Sequence, residues 1–128
     1  MKFSQTKPPI FDRLHKQFGV EWGGNLCVAY GDTIHHSKEL TSDVLMHESF
    51  HLSRQKDPTQ WWERYIRDSK FRFIEELLAY RVQYKFLKSG IKDRNEIARH
   101  LFRLAKDLSS MYNLPINHTE ALKLIKME

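Results

Sequence analysis

The segment from Val44 to Leu52 most narrows what this chain can fold into. It sets Val44, Leu45, Met46, Phe50 and Leu52 around His47-Glu48-Ser49-Phe50-His51, so an apolar run is interrupted at its centre by two imidazoles and an acid. Residues four apart share one face of a helix, which would place His47 and His51 side by side, with Glu48 about 100° around the axis and next to both. Thr41, Ser42 or Asp43 can cap the start of such a helix, and Asp57-Pro58 stops it shortly after Arg54. Its apolar flanks imply a largely buried helix, where an acid and two histidines without partners are costly. A metal ion on His47 and His51 offsets that cost. Glu48 then stands where it can take a proton from a metal-activated water, the arrangement of zinc-assisted hydrolysis.

The rest of the chain suits a small α+β, mainly α-helical fold, expected to form one domain over 1–128. With 41% hydrophobic and 12% aromatic residues it can bury a core and is not a disordered chain. Pro8-Pro9 to Phe18 reads as a short helix with Phe11, Leu14 and Phe18 on one face. Gly19 and Gly23-Gly24 break that pattern. Asn25 to Tyr30, the Gly31-Asp32 turn and Thr33 to His35 then read as a β-hairpin. Helices are expected over 42–55, 59–68, 70–88, 93–110 and 118–127, with Asp93/Glu96 and Asn117/Glu120 as capping pairs.

No apolar run approaches the roughly 20 residues of a membrane span, and the N-terminus lacks the apolar stretch of a signal peptide. Cys27 is the single cysteine and has no intrachain disulfide partner. It is expected as a small core residue in a reducing, cytoplasmic setting. The net charge of +5 is interspersed along the helices, which describes a solvated basic face and leaves nucleic-acid binding open.

Two histidines need a third protein ligand. One pattern places it six residues beyond the second histidine, with a glycine three residues beyond that histidine to turn the chain back. Those positions here are Asp57 and Arg54, so the tight turn is missing. The helix over 70–88 offers another source. With Arg81, Lys85 and Lys88 marking its exposed side, Glu76 falls near the centre of the buried side, together with Arg72, Ala79 and Gln83, and Glu75 lies on that side too. A buried carboxylate is expensive unless paired or metal-bound, so Glu76 either ligates a metal or pairs with Arg72 one turn earlier. Small Ala79 would let the two helices approach closely.

His47-Glu48-x-x-His51 followed by Glu76-Leu77-Leu78-Ala79-Tyr80 resembles the zincin metallopeptidases of the glutamate-ligand type. The stretch from Val44 to Leu87, with Trp61-Trp62, Tyr65 and Phe71-Arg72, is similar to small metallopeptidases encoded by phages and bacteria. The resemblance implies Zn2+ on His47, His51 and Glu76, Glu48 as general base, and a protein or peptide substrate. It departs at Tyr80, where many relatives carry an Asp or Asn that supports the site. Tyr65, Tyr80, Arg72 and His100 are candidate oxyanion donors, each with an ordinary structural role as its alternative. The hairpin strand Thr33 to His36 is a candidate edge for an extended substrate, although His35 and His36 also read as exposed histidines, and Trp61 and Trp62 read as core anchors or as the rim of a groove. A catalytically idle zincin fold used for binding or in a virion, and a basic nucleic-acid-associated protein, are the competing readings.

Overall fold

The computed structural model describes residues 1–127. Its elements run β1 (Lys2–Ser4), α1 (Phe11–Phe18), β2 (Cys27–Tyr30), β3 (Thr33–His36), α2 (Ser42–Arg54), α3 (Pro58–Arg67), α4 (Ser69–Gly90), α5 (Arg94–Ser110) and α6 (His118–Lys126). It is mainly helical with a small sheet, as the hydrophobic periodicities imply. Helix starts follow side-chain chemistry. Asp57 accepts from the Gln60 amide, Asp68 from those of Lys70 and Phe71, and Asn117 with Glu120 closes a reciprocal capping box. Asp93 accepts from the Asn95 amide without a partner at Glu96, and Thr41 occupies the cap position of α2 without a capping side-chain bond.

The sheet has three strands in the order β1-β3-β2, with β1 parallel and β2 antiparallel to β3. Gly31, at φ +66°, takes the first position of the two-residue turn between β2 and β3, a conformation open to glycine. β1 gave no sequence signal: it is three residues long and its Phe3 is 53% exposed. Its presence corrects one expectation. β3 lies between two strands, so Thr33 to His36 offers no free edge, and the open edge beside α2 belongs to β2. His35, expected at the surface, is buried and donates from Nδ1 to the Thr6 carbonyl at 2.9 Å.

Two hydrophobic clusters hold the helices. Leu77, Tyr80, Tyr84 and Leu87 of α4 pack with Leu101, Leu104 and Leu108 of α5 and with Ala121 and Ile125 of α6. Leu14, Val28, Trp61, Trp62, Tyr65 and Ile66 join α1, β2 and α3. α2 runs between the sheet and α4. Ala79, fully buried on α4, presents only a methyl group to its surroundings. The apolar residues of α2 are not its buried ones. His47, Glu48 and His51 are buried, whereas Val44, Leu45, Phe50 and Leu52 are half-buried and Met46 is exposed. A helix that buries its polar face needs something inside to compensate it.

Candidate metal centre

What α2 meets is Glu76. α4 carries this carboxylate inward, with Arg72, Ala79, Tyr80 and Gln83 also buried. Glu76 Oε1 lies 3.1 Å from His47 Nε2 and 3.1 Å from His51 Nε2, and the two nitrogens lie 3.2 Å from each other. A tetrahedral ion held at about 2.0–2.1 Å by nitrogen and oxygen sets its donor atoms roughly 3.3 Å apart. The three separations therefore match three corners of such a site. Among the described residues, His47, His51 and Glu76 are the His, Cys, Asp and Glu group that could hold a metal ion.

The hydrogen bonds around the triad favour its ligating form. Glu76 Oε2 accepts from the Tyr65 hydroxyl at 2.5 Å, which leaves Oε1 for the histidines. His47 Nδ1–H donates to Gln83 Oε1 at 2.9 Å, and Gln83 Nε2 donates to Asp43 Oδ2 at 2.8 Å. With its proton on Nδ1, His47 turns a bare Nε2 lone pair toward Glu76. Burial opposes ionisation of Glu76, and only positive charge on, or an N–H from, His51 and His47 outweighs it to hold the carboxyl below its usual range; with both histidines neutral and ligating, a bound cation must take that part. A lone-pair nitrogen and a carboxylate oxygen converging in a buried space repel each other unless a cation or a proton stands between them.

Two further atoms lack partners. His51 Nδ1 and Glu48 Oε2 are buried without a hydrogen bond among the described residues. Burial, opposed by His47 and reinforced by Glu76, pushes the Glu48 carboxyl up to about 8. Glu48 follows His47 directly, so its orphan oxygen is the one that a metal-bound water could satisfy, whereas His51 Nδ1 lies on the side of the ring away from the ligating Nε2. The residues present fit a metal ion.

The neighbouring Glu75 is buried elsewhere. Its carboxylate takes Arg54 Nε at 3.2 Å and Nη2 at 3.0 Å, and accepts from Trp61 Nε1 at 2.9 Å. Arg54, standing where the tight-turn pattern wants glycine, thus serves a different carboxylate, and Asp57 is the α3 cap, not a ligand. Arg72 does not pair with Glu76. It donates to the carbonyls of Tyr65, Ile66, Tyr112 and Asn113, tying α3 to the segment after α5.

The proposed oxyanion donors sort themselves. Tyr65 is engaged with Glu76. Tyr80 sets its ring edge-on to His47 at 4.5 Å and bonds the Tyr112 hydroxyl at 2.6 Å. His100 meets Arg103 on α5 and lines, with it, a cavity of about 850 Å3 that also reaches His47, Glu48 and Glu76. Its lining also includes the largely apolar side chains of Phe18, Leu26, Val28, Tyr65 and Met111. Cys27, expected in the core, is half-buried and lines the cavity, and burial followed by the Glu48 charge pushes its thiol up to about 12.

Gln83 and Asp43 were not legible as site residues. A signal for Gln83 existed, since it lies seven residues beyond Glu76, two turns along the same face. Among the described residues, no helix is long and apolar enough to cross a membrane. No protein-family model, curated protein or solved structure matches the chain.

Proposed function

We propose that the chain is a zinc metallopeptidase of the glutamate-ligand zincin type, with His47, His51 and Glu76 as ligands and Glu48 as general base. The observation that carries this reading is the meeting of three ligand atoms at 3.1–3.2 Å beside a buried carboxylate oxygen that has no other partner. The same two-histidine, one-carboxylate donor set also suits iron. Glu48, one residue after His47 and poised as a base, favours hydrolysis on zinc.

Zinc, when bound, supplies a Lewis acid that acidifies water and polarises a carbonyl. The chain's own groups do the rest. Glu48 Oε2 accepts the proton of the attacking water and returns it to the departing amine. Its raised affinity for a proton, caused by burial, suits a group that must both take and give one near neutrality. Tyr65 and Gln83 keep Glu76 and His47 in their ligating orientations. Cys27, Val28 and Ala29 of β2 line the cavity, and the outer edge of this strand is partly closed because the Ala29 carbonyl already accepts from Gln55 Nε2 at 2.8 Å and Trp62 Nε1 at 3.1 Å. An extended peptide therefore pairs with β2 at Cys27, not at Ala29.

Incubating the zinc-loaded protein with a diverse peptide mixture and reading new termini by mass spectrometry tests the reading. Glu48→Gln should keep its zinc and lose about 10²–10⁴-fold in cleavage rate. Equal cleavage by wild type and Glu48→Gln, or none by a fully loaded wild type, would contradict it.

A further inference from the structure

We infer that Asp43, acting through the side-chain amide of Gln83, fixes His47 in the one neutral tautomer that can ligate a metal through Nε2. Asp43 and Gln83 are positioning residues in this account, and the inference rests on the metal-centre reading only for its consequence, not for its geometry.

Hydrogen-bond polarity sets which way each group faces. A carboxylate only accepts, so Asp43 Oδ2, 2.8 Å from the Gln83 amide, must face the NH2 end. The Gln83 oxygen is then turned toward His47 Nδ1 at 2.9 Å, and because that oxygen only accepts, Nδ1 must carry the proton. The lone pair is left on Nε2, which points at Glu76 Oε1. Rotating the amide by half a turn would reverse every sign: its NH2 would face Nδ1, the proton would move to Nε2, and the ligating position would be closed. Asp43 prevents that rotation. Gln83 is 3% exposed, so no bulk water offers the amide an alternative partner.

Asp43 is itself held. Its side chain, 12% exposed, has Arg103 Nη2 of α5 at 3.6 Å. The chain of contacts thus runs from α5 through the first turn of α2 to α4 and back to the second turn of α2. His51 has no equivalent, since its Nδ1 lacks a partner. Tyr80, at the position where the resemblance implies a supporting Asp or Asn, touches His47 through its ring. The support has moved one turn along α4, and an amide needs a second residue to tell it which way round to sit.

Nitrogen-15 NMR of the imidazoles in the metal-free protein, together with zinc affinity by chelator competition, tests this. Wild type should show His47 protonated on Nδ1. Asp43→Asn keeps the shape but allows either end of the Gln83 amide to face it, so a substantial Nε2–H population should appear and zinc affinity should fall about 10- to 100-fold. The double variant Asp43→Asn/Gln83→Glu reverses donor and acceptor between the two positions and leaves an acceptor on Nδ1. It should restore the Nδ1–H tautomer and recover most of the affinity. An unchanged tautomer in Asp43→Asn, or a loss of affinity that the double variant fails to recover, would overturn the inference. If wild type bound no zinc, the metal reading would fall, while the tautomer measurement would still decide this one.

Discussion

Glu75 and Glu76 are adjacent in sequence, lie on the same helix and are both buried, yet they inhabit opposite kinds of environment. Glu75 is met by Arg54 and the Trp61 indole, donors that satisfy it within the protein. Glu76 receives one hydroxyl, from Tyr65, and otherwise faces two imidazole nitrogens. The first is an ion pair whose cation is built into the chain, and the second is a pocket whose cation must come from outside. Burial alone does not mark a functional carboxylate; what marks it is the deficit of donors around it.

This contrast can be broken by substitution. Glu76→Gln removes the anionic ligand and should abolish stoichiometric zinc binding, measured by metal analysis after reconstitution, while Glu75→Gln should bind zinc as wild type does. A Glu75→Gln protein that loses its zinc would exchange the roles of the two residues. Tyr65→Phe touches only the Glu76 side. Freed from its hydroxyl partner, Glu76 is less well oriented, and zinc affinity should drop about 10- to 100-fold by chelator competition. The smallest effect belongs to the ion pair. Glu75→Gln weakens the contact with Arg54, whose side chain is 45% exposed and so can turn to solvent. We expect a loss of about 1–2 kcal/mol in chemical unfolding, with no change in the zinc-binding isotherm.

The comparison also shows where sequence reasoning stops. The 100° phase of α4, taken from Arg81, Lys85 and Lys88, placed Glu76 inward because charged residues mark a solvent face without knowledge of the neighbours. Arg81, used for the same purpose, is half-buried and donates to the Leu124 carbonyl at 2.8 Å, so it caps α6 as well as meeting solvent. Phase could not separate Glu76 from Glu75, since both fall on the buried side; the separation comes from Arg54 and Trp61, 21 and 14 residues away. The His47-Glu48-x-x-His51 helix was legible because its ligands repeat within a single turn. Its burial was inferred from apolar flanks, although the histidines and Glu48 are what the fold encloses. The Asp43–Gln83 pair escaped notice for the same reason as the Glu75 partners: its members are 40 residues apart and carry no local pattern. β1 escaped for want of length.

The account stands most directly on the zinc content of the purified, zinc-reconstituted protein compared with His47→Ala and His51→Ala. It predicts about one zinc per chain in wild type and none held stoichiometrically by either variant. A wild type that binds no zinc, or variants that retain it in full, would contradict the claim that these three side chains form a metal centre.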